Sequence, residues 1–194
     1  MEEYMMKRSL CPLLILLALI ASACGSSSPT AGTPTPTPTP TLTPLTTSHY
    51  VARLSALNAT HVSGAADFKL TGNVLVITIN ATGLQPNKEH YLHIHGTAGS
   101  AVTCPTPADA DASGHITIEK ALTIIGPIAL DLQPYPQPDA HGAISWSQIF
   151  HLEPYQLSDI SPLTQHVIVL HGMTYQGLYD RALTVACGPI QAAA

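Results

Sequence analysis

Val74-Leu75-Val76-Ile77-Thr78-Ile79-Asn80 is the stretch on which the reading of the fold turns. Successive side chains of an extended chain point to opposite faces. Leu75, Ile77 and Ile79 therefore share one face, and Val74, Val76 and Thr78 the other. This β-branched alternation predicts a strand over Asn73–Thr82. Upstream, the turn Thr71-Gly72-Asn73 joins it as a hairpin to a second strand, Val62–Leu70, which follows a third, Tyr50–Leu57. Downstream, Gly83-Leu84-Gln85-Pro86-Asn87 forms a loop, and the extended pattern resumes in His90-Tyr91-Leu92-His93-Ile94-His95-Gly96. Further strands are expected at His115–Ile118, Leu122–Leu130, Ala143–Leu152, His166–His171 and Leu183–Cys187. No long segment has a helical period. The expected fold is all-β: a β-sandwich or flattened barrel with Greek-key connections. Residues 131–163 carry prolines at 134, 136, 138, 154 and 162, and are read as one strand around Trp146 between two loops, either a lid or a decorated edge.

Side chains two apart on a strand lie roughly 6–7 Å apart on one face. His93 and His95 are so spaced, and two neutral imidazoles at that distance can share one copper or zinc ion. The competing reading is of polar residues at a strand end. All ten histidines lie in residues 49–194. His49, His61 and His166 stand at strand starts with nothing to single them out, and His90, His115, His141 and His151 are left open as further ligands.

The N-terminal residues give an address. Lys7 and Arg8 precede the apolar run Leu10–Ile20, too short for a stable membrane span and read as a signal-peptide core, residues 1–23. Ala21-Ser22-Ala23-Cys24-Gly25 is similar to a bacterial lipobox, in which Cys24 becomes lipidated. Ala21 stands where the usual pattern has leucine. Residues 24–48 form a lipid-anchored spacer. The strict Thr-Pro alternation from Thr33 to Thr41 favours polyproline II, which rises about 3.1 Å per residue. Residues 49–194 are then one exported domain on the outer face of a bacterial cell membrane, long enough for a buried core. The net charge is −5, and only five of the seven Lys and Arg lie beyond the leader, which gives no basic patch for nucleic acid. No Gly-x-Ser-x-Gly elbow or glycine-rich phosphate loop is present.

Cys11 goes with the leader and Cys24 with the lipid. Cys104 and Cys187 remain and are expected to form one disulfide; the alternative is two buried thiols. At this point the chain resembles a family. Gly83-Leu84, then His90/His93/His95, Cys104, the strand Val167–His171 and Ala186-Cys187-Gly188 follow the order of the copper/zinc superoxide dismutases. The His-Ile-His-Gly strand end is also similar to that of chordin-like (CHRD) domains of exported bacterial proteins. The resemblance implies that His93, His95 and His171 are metal ligands, that His90 lies just behind them, and that Cys104 and Cys187 are paired. The departures are as informative. No histidine bridges to a zinc site after Cys104, Thr184 stands where the dismutases have an arginine, Arg181 lies three positions before it, and the loop over Gly172–Ala182 is short. The resemblance thus implies copper or zinc binding more readily than fast dismutation. The alternatives are a CHRD-type surface module, whose segment around Trp146 meets a protein or cell-wall partner, and a genuine dismutase.

Asp109-Ala110-Asp111-Ala112-Ser113-Gly114-His115-Ile116 resembles the opening of a calcium loop, with oxygens at alternate positions and glycine sixth. The twelfth position, which should be a carboxylate, is Lys120, with Glu119 one early. Asp109, Asp111 and Ser113 are candidate calcium ligands, set against an ordinary solvated turn.

Overall fold

The computed structural model describes residues 45–194; the leader, Cys24 and the Thr-Pro tract lie outside them. Strands β1 (Thr47–Ala56), β2 (Ser63–Thr71) and β3 (Val74–Thr82) form the meander expected from their alternation, with β1 taking in two residues assigned above to the spacer. Leu75, Ile77, Ile79 and Ala81 of β3 are all buried, so the apolar period of two is the cause of the register. Strands β4 (Leu92–His95), β5 (Ile128–Asp131), β6 (Ile144–His151), β7 (Val167–Tyr175), β8 (Leu178–Pro189) and β9 (Gln191–Ala192) complete the set. The order is β5-β4-β7-β8-β1-β2-β3-β6, with β9 beside β1. Every pairing is antiparallel.

β1 belongs to both halves of this half-barrel, since Thr47–Leu54 pair with β2 while Ser55 and Ala56 pair with β8. The chain crosses between halves from β3 to β4, from β5 to β6 and from β6 to β7, in Greek-key fashion. The crossings enclose the main core, where Phe68, Ile77 and Ile79 of one half meet Leu92, Ile94, Ile168 and Leu170 of the other. A second, smaller core lies on the reverse face of β7 and β8. There Val167, Val169 and Cys187 pack under Ile116, Ala121 and Ile125.

Two sequence expectations fail here. Of the strands expected at His115–Ile118 and Leu122–Leu130, only residues 128–130 are extended, in β5, while Ile118–Ile125 form helix α1. The Thr117 side chain accepts a hydrogen bond from the Lys120 backbone N–H, Glu119 lies in the first turn, and Gly126 ends the helix at φ 75°. Ala121 and Ile125, four apart, then face the sheet together. The segment Gly172–Ala182 is no loop but the end of the β7–β8 hairpin, turning at Gln176-Gly177. Residues 131–163 do contain the strand around Trp146, as β6 at the sheet edge, together with helix α2 (Pro154–Asp159). Trp146 is a core residue whose indole N–H donates to the Pro134 carbonyl (3.0 Å).

Candidate metal centre

His93 and His95 of β4 point to the reverse face, because Leu92 and Ile94 occupy the core face between them. β7 is the neighbour of β4, with His93 opposite Val169 and His95 opposite Val167. His171 follows two residues after Val169 on the same side, and register shifts on either side of it mark a bulge in the β7–β8 ladder. The three rings converge, with centroids 5.0 Å apart for His93 and His171 and 5.5 Å for each of the other pairs. One nitrogen from each ring lies within 4.8 Å of the other two, and all three residues are buried.

The remaining ring nitrogens decide which lone pairs are free. His95 Nδ1–H donates to the Gly126 carbonyl (3.0 Å) and His171 Nδ1–H to the Ala182 carbonyl (2.8 Å). A carbonyl can only accept, so these contacts put hydrogen on Nδ1 and the lone pair on Nε2. His93 differs: its Nε2 stands 3.4 Å from Asp131 Oδ1, and its Nδ1 is the atom left without a partner. Asp131 is His93's cross-strand neighbour on β5, and its carboxylate also accepts from the Tyr135 hydroxyl (2.6 Å) and the Gln133 amide (2.8 Å). The three atoms left over, His93 Nδ1, His95 Nε2 and His171 Nε2, are buried with no hydrogen-bond partner. Buried polar atoms are rarely left so. Three lone pairs orphaned in one place fit a copper or zinc ion.

Burial keeps the rings in the neutral form a metal requires. It is the first cause holding His171 down to about 3, assisted by the positive charge its neighbour His93 would carry. Burial likewise lowers His95 to about 4. His93 is lowered too, burial outweighing the opposing pull of Asp131. Tyr135 is pushed up to about 12 by burial and then by its bond to Asp131, so its hydroxyl stays protonated and donating.

His90 acts on the backbone of His171 and not on its ring. His90 Nδ1 lies 2.8 Å from the His171 carbonyl and Nε2 3.1 Å from that of Gln85. Gly172 (φ 107°) is required here, because a Cβ would run into the Tyr179 hydroxyl and crowd the His90 ring. His115 stacks on Tyr175 at 4.2 Å, while His141 and His151 are exposed; none joins the cluster. Arg181 donates to the Tyr91 hydroxyl (2.9 Å) and lies 3.8 Å from Glu89.

The acidic turn is held by its own hydrogen bonds. Asp111 Oδ1 accepts from Ser113 N–H (2.8 Å), Ser113 Oγ (2.6 Å) and His115 N–H (3.1 Å). Asp109 Oδ2 accepts from Thr106 N–H and Oγ, and Lys120 stands 3.7 Å from its other oxygen. Lys120 holds the twelfth position of this turn, and both carboxylates accept turn or cap hydrogen bonds. The expected disulfide is present, joining Cys104 to Cys187 with 5.7 Å between Cα atoms.

Asn58 was not foreseen. At φ 54° and buried, its amide donates to the Ile116 and Thr184 carbonyls, and its oxygen accepts from Ile116 N–H (2.6 Å). It pins the segment before α1 to β8. Its sequence signal was only an asparagine in a turn.

No protein-family model matches the chain, and no curated protein matches it in sequence. Among solved structures, the Cu(II) form of Candida albicans superoxide dismutase 5 overlaps 77% of this chain and 94% of its own, at TM-score 0.46 and 12% identity. Two point-mutant forms of that enzyme overlap 76% of this chain and 91% and 93% of theirs, each at TM-score 0.47 and 12% identity. A likeness of this depth assigns no chemistry to this chain.

Proposed function

We propose that this chain is an exported metal-binding protein, holding one copper or zinc ion through His93 Nδ1, His95 Nε2 and His171 Nε2. The observation that carries the proposal is the set of three buried, unpartnered lone pairs, each aimed by a contact of its ring's other nitrogen. Bound copper would supply one-electron redox chemistry, and zinc a Lewis acid. His90 would steady the backbone of His171, and Asp131 would hold the His93 ring in place. Efficient superoxide dismutation is no part of the proposal, because Arg181 is tied to Tyr91 and no charged group occupies position 184. Lipidation at Cys24, with the Thr-Pro spacer, would hold the domain on the outer face of a bacterial cell membrane. The Cys104–Cys187 disulfide supports an oxidising compartment. A kinship with chordin-like domains belongs to the same proposal.

Calorimetric titration of metal-free protein with Cu(II) and Zn(II) tests the metal site. Saturable binding of one ion per chain is expected, with affinity at least a hundredfold weaker in a His93→Ala/His95→Ala/His171→Ala variant. Binding unchanged by the triple substitution would refute the assignment.

A further inference from the structure

The metal centre forms the floor of a cavity of about 390 Å³, and the walls of that cavity are not those of an ion channel. Ile118, Leu122 and Ile125 of α1 line it together with Ile128 of β5, and the Tyr91 and Tyr135 rings (centroids 4.5 Å apart) complete it. Leu122 and Ile128 are 42% and 52% exposed, two of the few large apolar side chains left open to solvent among the described residues. Both sit in this one cavity, where apolar surface has been kept wet at a cost of ~25 cal/mol per Å². Of the five lysines and arginines in the described residues, none lines it. The one carboxyl group in the lining is that of Asp131, already bonded to Tyr135 and Gln133. At the floor, beside the histidines, the buried Thr184 hydroxyl also has no partner.

From this arrangement we infer that the site takes a small neutral molecule with an apolar, ring-sized body and one donor atom. The donor atom reaches the metal beside the Thr184 hydroxyl, while the body lies against α1, Ile128 and the two tyrosine rings. The lining atoms left without a partner are those of the histidines and Thr184, the Asp131 carboxylate and the tyrosine hydroxyls are already bonded, and much of the remaining lining is apolar, which is how a pocket fixes an apolar ligand end-on. The inference rests on the metal reading for the donor atom alone; the walls act without it.

The probe is 4-phenylimidazole, with imidazole as the same donor lacking the apolar body, both neutral at pH 8. Titrated into Zn(II)-loaded protein, 4-phenylimidazole is expected to bind at least tenfold more tightly than imidazole. In Leu122→Gln and Ile128→Thr variants that preference is expected to fall below threefold, with zinc and imidazole affinities retained. Equal affinity of the two probes, or a preference that survives both substitutions, would overturn the proposal. If the protein takes up no zinc, the metal reading fails by itself and the cavity is judged on metal-free protein. There 4-phenylimidazole should shift the methyl resonances of Leu122 and Ile128 where imidazole does not, and absence of those shifts would overturn the proposal equally.

Discussion

His171 and His95 are buried almost completely, and burial holds their rings neutral well below the ordinary histidine range, to about 3 and about 4. In the unfolded chain the same rings take up protons near pH 6.5. Between that value and the folded ones the unfolded state therefore binds more protons, and by linkage stability falls as the pH falls. The contribution is fully present above about pH 6.5 and is lost progressively toward pH 3 to 4. Denaturant unfolding of metal-free protein at pH 7.5 and pH 4.5 should therefore show a loss on the order of 3–5 kcal/mol at the lower pH. A His95→Gln/His171→Gln variant should show a flatter profile. A midpoint equal at both pH values in the parent protein would mean that the rings are more hydrated than their burial implies.

Among the elements, α1 and the disulfide do the most to close the site. The chain from Gly96 to Gly126 covers the reverse face of β4, β7 and β8, held by Cys104–Cys187, by Asn58 and by the small core under Ala121 and Ile125. Gly126, at the end of α1, offers the carbonyl that orients His95. The cross-link closes an 83-residue loop, so a Cys104→Ser/Cys187→Ser variant should lose roughly 4–5 kcal/mol of stability by chain entropy. With the cover loosened, its bound zinc should pass to a chelator at least tenfold faster in a stopped-flow experiment. An unchanged transfer rate would mean that the cover does not guard the ion. The meander β1–β3 was legible because each strand buries one face and its sequence alternates accordingly. The helix is masked in the sequence because Ile118, Thr123, Ile124 and Ile125 are β-branched and favour strands. Thr117, Glu119 and Gly126 were the signals against, and Ile118, Ala121, Leu122 and Ile125 follow the helical spacing.

Taken whole, the molecule joins residues 78 positions apart (93 and 171) because the Greek-key crossings set β4 beside β7. The identity of the three histidines was readable from spacing and resemblance. Their tautomers were not, because the atoms that set them, the Gly126 and Ala182 carbonyls and the Asp131 carboxylate, come from β5, β8 and the end of α1. The apolar cavity was equally hidden, since its wall is the helix that alternation obscured. X-ray absorption at the metal edge of copper- or zinc-loaded protein tests the central claim most directly. The fold predicts three imidazole nitrogens at about 2.0–2.1 Å, falling to two in a His171→Ala variant. A first shell of oxygens or sulfur, or three imidazoles persisting in that variant, would contradict it.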